Sequence, residues 1–331
     1  MIDVFNPRQK SPESGLHLMN PRRHLKEVAR LLEETFSDVI DKPDRAPLQE
    51  MRWFAILARW LGNWVLGPGV YGSSVVSFVW LEEGRVIGHA MTHRLDPAGD
   101  RWQISNVAVK PAYRNRGIGR ALMMATLDYI RSQRGLWAVL QVRENNRPAV
   151  HLYEGLGFSP IGGEIRWKLD LNDLSVKQPL RYRKLQRVKF QHAHEVEALH
   201  KRCLGDTSTW WWQDRRPTLT TKNMGYWLRN LIGRAVHQRQ GFWYNGHLIA
   251  FADIYVDTKY HMGEFSLCVD RAYWGHWEET LLLEILAQIR TWGGRIVYTQ
   301  TLDDYPPLQT AVQTLGFQER FHLMNMRKPL F

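Results

Sequence analysis

At 331 residues the chain exceeds what one hydrophobic core usually supports, so two domains of about 150 to 170 residues are expected, with one large domain as the alternative. The composition, 44% hydrophobic and 23% charged, is that of a soluble globular protein; no stretch stays apolar for the roughly 18 residues of a membrane span, so membrane partners are excluded. The net charge of +11 favours a polyanionic ligand, either nucleic acid or a phosphate-rich cofactor, although the basic residues are scattered as on any solvated basic surface.

Residues 1–14 are polar, carry no secretion-type apolar run, and are expected to form a flexible tail. Gly15 to Asn20 has the pattern of a short strand. Leu25, Val28, Leu31, Leu32 and Phe36 space a helix over Arg22 to Phe36, and a second helix is expected from Pro47 to Leu61. Three strands follow at Ser73–Trp80, Val86–Arg94 and Trp102–Val109, the first two joined as a hairpin across Glu82-Glu83-Gly84. Then come a helix over Gly117–Arg134, a strand over Leu136–Val142, a helix over Pro148–Leu156 and a strand over Glu164–Leu169. Early antiparallel hairpins followed by a β-α-β crossover make an α/β (α+β) fold, a mixed sheet with helices on both faces.

Residues 173–179 are polar and suit a linker between domains at 15–172 and 180–331. The second half repeats the first. A strand is expected at Leu180–Leu185, a helix at His192–Cys203, two strands within Arg234–Asp257 turned by Asn245-Gly246, and a strand at Glu264–Val269. Val107 to Tyr113 matches Leu267 to Tyr273 at an offset of 160, and Leu156-Gly157-Phe158 matches Leu315-Gly316-Phe317 at 159. The two cysteines, Cys203 and Cys268, lack CxxC spacing and a nearby His cluster, so no metal and a reducing, cytoplasmic setting are expected. The run Trp210-Trp211-Trp212, among polar residues, is expected to line a cleft or an interface.

Arg114-Asn115-Arg116-Gly117-Ile118-Gly119 follows a strand and opens a helix. A helix start leaves four amide hydrogens unpaired and gathers about half a positive charge, and glycines remove side chains that would keep a diphosphate away. Alone, Arg-x-x-Gly-x-Gly also suits a tight bend without a ligand. Here Val107-Ala108-Val109 precedes it and Pro111 and Tyr113 fill the turn. About thirty residues on comes Asn146-x-x-Ala149-x-x-Leu152-Tyr153-Glu154-x-x-Gly157-Phe158.

Together these segments resemble the GNAT superfamily of N-acetyltransferases, closely over residues 104–169 and loosely back to Gly15. The resemblance implies acetyl-CoA as co-substrate, without a metal. It places backbone groups of the Val107-Ala108-Val109 strand on the pantetheine arm. Amides of Asn115, Arg116, Gly117, Ile118, Gly119 and Arg120 would take the pyrophosphate, with charge from Arg114 and Arg116. Asn146 would contact the coenzyme, or serve only as a helix cap. Tyr153 would protonate the leaving thiolate, although a tyrosine on an apolar helix face also suits a core.

The base is open. A primary amine of pKa near 10 is neutral about one part in a thousand at pH 7, so attack needs a proton acceptor. Where relatives place a glutamate twelve residues before the tyrosine, this chain has Gln141, and the earlier strand offers only Gln103 and Ser105. A water chain is the expected route, with Glu144, His89, His93 and His151 as candidates.

In the second copy Arg114, Gly117, Ile118 and Gly119 become Trp274, Trp277, Glu278 and Glu279, while Asn146 becomes Tyr305 and Tyr153 becomes Val312. One acetyl-CoA site per chain is expected, in an arrangement that resembles tandem GNAT proteins of which one domain has lost activity. The expected function is acetyl transfer to the primary amine of a small molecule. The alternatives are a protein or peptide N-acetyltransferase and a non-catalytic acyl-CoA-binding or regulatory protein; nucleic acid is not expected as a partner.

Overall fold

The computed structural model describes residues 14–36, 75–96, 98–174, 184–203 and 235–331. The expected helix at Pro47–Leu61, the Trp210–Trp212 run, most of the tail and residues 175–179 of the linker lie outside them.

Two compact units form, and neither is continuous in the chain. The first takes residues up to Leu140 with Gly155–Gly157 and Arg327–Phe331; the second takes Gln141–Glu154 and Phe158–Met326. In the first unit the strand order is β1 (Gly15–Leu18), β2 (Val75–Glu82), β3 (Arg85–Arg94), β4 (Arg101–Val109) and β5 (Trp137–Arg143). All neighbours are antiparallel except β4 and β5, which pair in parallel from Arg101↔Trp137 to Ile104↔Leu140. Period-two alternation decides which side chains meet which helix. Val79, Leu81, Val86 and Ala108 pack with Val28, Leu31 and Leu32 of α1 (Pro21–Thr35). Their alternates Phe78, Trp80, Ile87, Val107 and Val109 pack with Ile118 and Leu122 of α2 (Ile118–Ser132) on the opposite face. Asn20 starts α1, its side chain accepting from the Arg22 amide at 3.0 Å, with Pro21 in the first turn.

In the second unit the order is β12 (Gln318–Pro329), β6 (Ser159–Asp170), β11 (Ile296–Leu302), β10 (Met262–Val269), β9 (His247–Asp257), β8 (Ala235–Tyr244) and β7 (Gln186–Arg187). Helices α5 (Glu278–Thr291) and α6 (Pro306–Thr314) bury Leu281, Leu282, Ile285 and Leu308 on one face against Phe265, Leu267 and Val269. Against the other face α4 (Ala193–Cys203) packs Val196, Leu199 and Cys203 on Leu248 and Phe251. Short α3 (Arg147–Glu154) also belongs here. The hairpin read from Asn245-Gly246 joins β8 and β9, with φ of 50° and 79° as a tight primed turn needs.

Most of the expected strand at Leu180–Leu185, residues 180–183, lies outside the described residues. The amides of Lys184 and Leu185 donate to the buried Glu284 carboxylate at 2.8 and 3.1 Å. Gln186 and Arg187 pair with β8. The repeat is visible element by element: α2 and α5 start 160 residues apart, whereas β5 and β11, and β6 and β12, start 159 apart. The slip falls at the end of the long helix.

Strand pairing also crosses the repeat. β6, the last strand of the first copy, runs antiparallel to β11 of the second from Asp170↔Ile296 to Glu164↔Leu302. Reciprocally, the C-terminal residues reach the start of β5, where the Leu330 amide donates to the Leu136 carbonyl at 2.9 Å and Phe331 packs edge-on against Trp137.

Candidate functional site

The residues expected to act fall in both units. In the first, β4 carries a bulge: β3 pairs as Gly88↔Val109 and His89↔Ala108, then resumes at Met91↔Ser105. Asn106 and Val107 thus share one opposing residue, and Asn106 takes a left-handed φ of 53°. A bulge re-aims the backbone of its strand. His89 holds this one, its Nδ1 lying 2.8 Å from the Asn106 carbonyl in a buried position. Burial pulls the imidazole pKa down to about 4. A ring that is neutral at pH 7 and committed to a carbonyl is a strut rather than the base for which it was considered. The Ser105 hydroxyl, just before the bulge, is buried and has no hydrogen-bond partner among the described residues.

β4 leads through a 3₁₀ turn, Pro111–Tyr113, into the glycine turn. Asn115 and Gly117 both have left-handed φ, 61° and 75°. Gly117 is the N-cap of α2, with no side chain closing the helix end and no acidic residue in the first turn. A Cβ added at Gly117 would meet nothing within 4 Å. Gly88 on β3 seats α2 closely, since a Cβ there would come within 2.9 Å of Leu122 and 3.1 Å of Ile118. Arg114, Arg116 and Arg120 are exposed around the turn. The Arg114 Nε donates to the Val109 carbonyl at 3.2 Å, and Arg116 lies 5.0 Å over Tyr113, donates to the Ala112 carbonyl at 3.4 Å and approaches Glu82 at 3.9 Å. Ala108 is buried and points to α1, while Val107 and Val109 are half-buried beside α2.

In the second unit Asn146 opens α3: its carbonyl accepts from the Ala149 and Val150 amides at 3.0 Å, and its side-chain oxygen approaches Ala149 at 3.4 Å. Tyr153 is buried at the far end of this helix, its ring 6.0 Å from Phe158. Burial pushes its phenol up to about 12. Gln141 donates from Nε2 to Oδ1 of the buried Asn325 on β12 at 2.9 Å. Asn325 escaped sequence reasoning because only non-local strand pairing brings it there. Of the candidate bases, Glu144 is exposed and paired with His322 at 2.9 Å, His151 is exposed on α3, and His93 sits on β3 opposite Gln103. Among the described residues no group of three or more His, Cys, Asp or Glu side chains could hold a metal, and no helix is long and apolar enough to cross a membrane.

Residues 27–158 match the acetyltransferase (GNAT) family. Among curated proteins, the chain is similar to a mycothiol acetyltransferase from Thermomonospora curvata, 39% identical over 28% of this chain and 30% of that one. It is similar also to an N-alpha-acetyltransferase, RimI, from Mycobacterium tuberculosis (36% over 24% and 49%) and a ribosomal protein bS18-alanine N-acetyltransferase from Escherichia coli (37% over 27% and 57%). The chain thus spans less than two thirds of the length of each. Among solved structures, a tandem GNAT protein from the clavulanic acid biosynthesis pathway aligns over 96% of this chain and 98% of its own with TM-score 0.65 at 16% identity. A GNAT protein from Sphaerobacter thermophilus aligns over 95% of each chain with TM-score 0.63 at 15% identity. These likenesses show the fold, that of tandem GNAT proteins, and the match to the acetyltransferase (GNAT) family is confined to residues 27–158.

Proposed function

We propose that the chain transfers an acetyl group from acetyl-CoA to the primary amine of a small molecule, with the coenzyme anchored at the α2 turn and Tyr153 donating at the sulfur. The observation that carries this reading is the open N-terminus of α2. Gly117 leaves the first-turn amides of Ile118, Gly119 and Arg120 without a side-chain cap, no acidic residue stands nearby in the helix, and three exposed arginines surround the turn. Such an end is matched to a diphosphate. The bulged strand from Val107 to Val109 leads into the same turn, and the pantetheine arm would run along it.

Acetyl-CoA supplies an activated thioester carbonyl. The amine nitrogen bonds to that carbon, the carbon–sulfur bond breaks, one proton leaves the nitrogen and one reaches the sulfur. Full transfer from a phenol at about 12 to a thiolate of ordinary pKa near 8.5 is uphill by about 5 kcal/mol. Tyr153 therefore acts first as a hydrogen-bond donor that stabilises the developing thiolate, and the proton follows because burial raises the sulfur's proton affinity too. Gln141 orients the amine or its water, and the proton leaves through water. With glutamine where a carboxylate would assist a polypeptide amine, a small acceptor is preferred over a protein N-terminus.

The test is a mass-spectrometric screen of small amines and short peptides with acetyl-CoA, comparing the parent with Tyr153→Phe. The variant should lose about 100-fold in kcat with little change in the KM for acetyl-CoA. Because a group at about 12 stays protonated at every working pH, Tyr153 should contribute no falling limb to the rate below about pH 11. Equal turnover by the two proteins removes the role of Tyr153. Acetylation confined to peptides overturns the small-molecule assignment, and binding of acetyl-CoA with no acetylated product anywhere in the screen overturns catalysis.

A further inference from the structure

The second repeat has a turn where the first has its glycine cradle, and that turn already holds an anion. Glu278, the first residue of α5, folds its side chain back over the helix start and is buried to 2% exposure. Its carboxylate accepts from the Gly275 amide at 3.1 and 3.0 Å through its two oxygens and from its neighbour Trp277's amide at 3.2 Å. The Tyr305 hydroxyl donates to it from α6's N-cap at 2.9 Å. At the repeat offsets, Gly275 and Trp277 stand where Asn115 and Gly117 stand in the first copy, and Tyr305 stands where Asn146 does.

The neighbourhood is closed around this carboxylate. Trp274 stacks on Tyr305 with centroids 4.3 Å apart and planes at 15°, and its Nε1 donates to the Val269 carbonyl at 2.9 Å. Arg114 makes the equivalent bond to Val109 in the first copy. A tryptophan has thus taken over the arginine's carbonyl and laid its ring over the helix end. The left-handed bend survives at Gly275, φ 80°, but is lost at Trp277, φ −124°. Burial, and then the facing carboxylate, push the Tyr305 phenol far above its ordinary range, which keeps it a donor.

We propose that Gly275, Trp277 and Tyr305 form a second anion site, specific for a single carboxylate, which Glu278 fills in cis and thereby closes to any diphosphate. Two amides and a hydroxyl converging on one buried carboxylate are more than a helix dipole requires, since an exposed acidic residue in the first turn, as Glu279 is, satisfies that alone. The donors that an anionic ligand would need are fully engaged. The second repeat is stabilised by its own side chain rather than by a coenzyme.

Chemical rescue tests this on the full chain. In Glu278→Ala the donors lose their acceptor, and the melting temperature should fall by about 5 °C. Sodium formate should restore most of that loss saturably, while sodium chloride at matched ionic strength should not, and the parent should respond equally to both salts. Glu278→Gln, which keeps the shape without the charge, should also melt below the parent and gain nothing from formate. An alanine variant as stable as the parent, or a loss that formate repairs no better than chloride, overturns the site. Should the alanine variant fail to fold, the cycle of Glu278→Gln with Tyr305→Phe decides: additive losses in stability overturn it, and coupling upholds it. Melting is read without acetyl-CoA, so this outcome is separate from that of acetyl transfer by the first repeat.

Discussion

Gly117 separates two readings of one motif. A glycine at a strand-to-helix turn can serve the bend alone, and its φ of 75° shows that the bend does need it. Any L-residue there costs about 1 to 2 kcal/mol in backbone strain, yet the space where its side chain would stand is empty. Gly117→Ala and Gly117→Glu should therefore lose similar, small amounts of thermal stability. Their acetyl-CoA affinities should differ sharply. The alanine should bind within a few fold of the parent, whereas the glutamate, at about 3 kcal/mol of like-charge repulsion, should bind at least about 100-fold more weakly. Calorimetric titration of the two variants checks this, and equal affinities would leave the glycine with the bend only. The open start of α2 was legible in the sequence because a glycine turn between a strand and a helix is a local feature. Glu278 was legible only in part: its charge shows, but its folding back under Trp274 and Tyr305 depends on a contact with residue 305.

Within a strand the same limit applies. Alternation and helical spacing located the described elements of the first repeat and those of the second from His192 to Val269, since burial of one face leaves a local periodicity. The β4 bulge left no such mark, and nor did its support. His89 occupies an inward position on β3 among apolar residues, and a histidine there reads from sequence more readily as a core residue than as a base. The structure decides by geometry and adds a pH signature. In the folded protein the imidazole titrates near 4, against 6.5 when unfolded. As pH falls from about 6.5 to about 4, the unfolded chain takes up a proton that the folded chain refuses. The stability that His89 supports is complete above about pH 6.5 and falls through that window by up to about 3 kcal/mol. His89→Gln should be less stable at neutral pH but should show a shallower fall in melting temperature between pH 7 and pH 4.5 than the parent. An unchanged slope would show that His89 is not buried in this neutral form.

At the scale of the whole chain the repeat was legible and the strand exchange was not. Offsets of 160 and 159 are carried by short matched segments, but no local pattern says which strand lies beside which. β6 finds its ladder on β11, and the start of β5 finds the C-terminal residues Leu330 and Phe331. A fragment ending at residue 172 keeps every sequence element of the first copy, including the whole acetyl-CoA motif, yet loses both partners. β6 would then expose the backbone groups it now pairs with β11 from Glu164 to Asp170, together with the buried rings and chains of Trp167 and Leu169. Unpaired edges of this kind promote aggregation. Expressed alone, residues 1–172 should be largely insoluble or lack a cooperative melt, and co-expression with residues 173–331 should recover soluble, acetyl-CoA-binding protein. A soluble, cooperatively melting fragment that binds acetyl-CoA on its own would show that the exchanged strands are dispensable. If the fragment fails as expected, the second copy is retained because the first cannot close its sheet without it, which explains how a repeat can lose its cradle to Glu278 and still be kept.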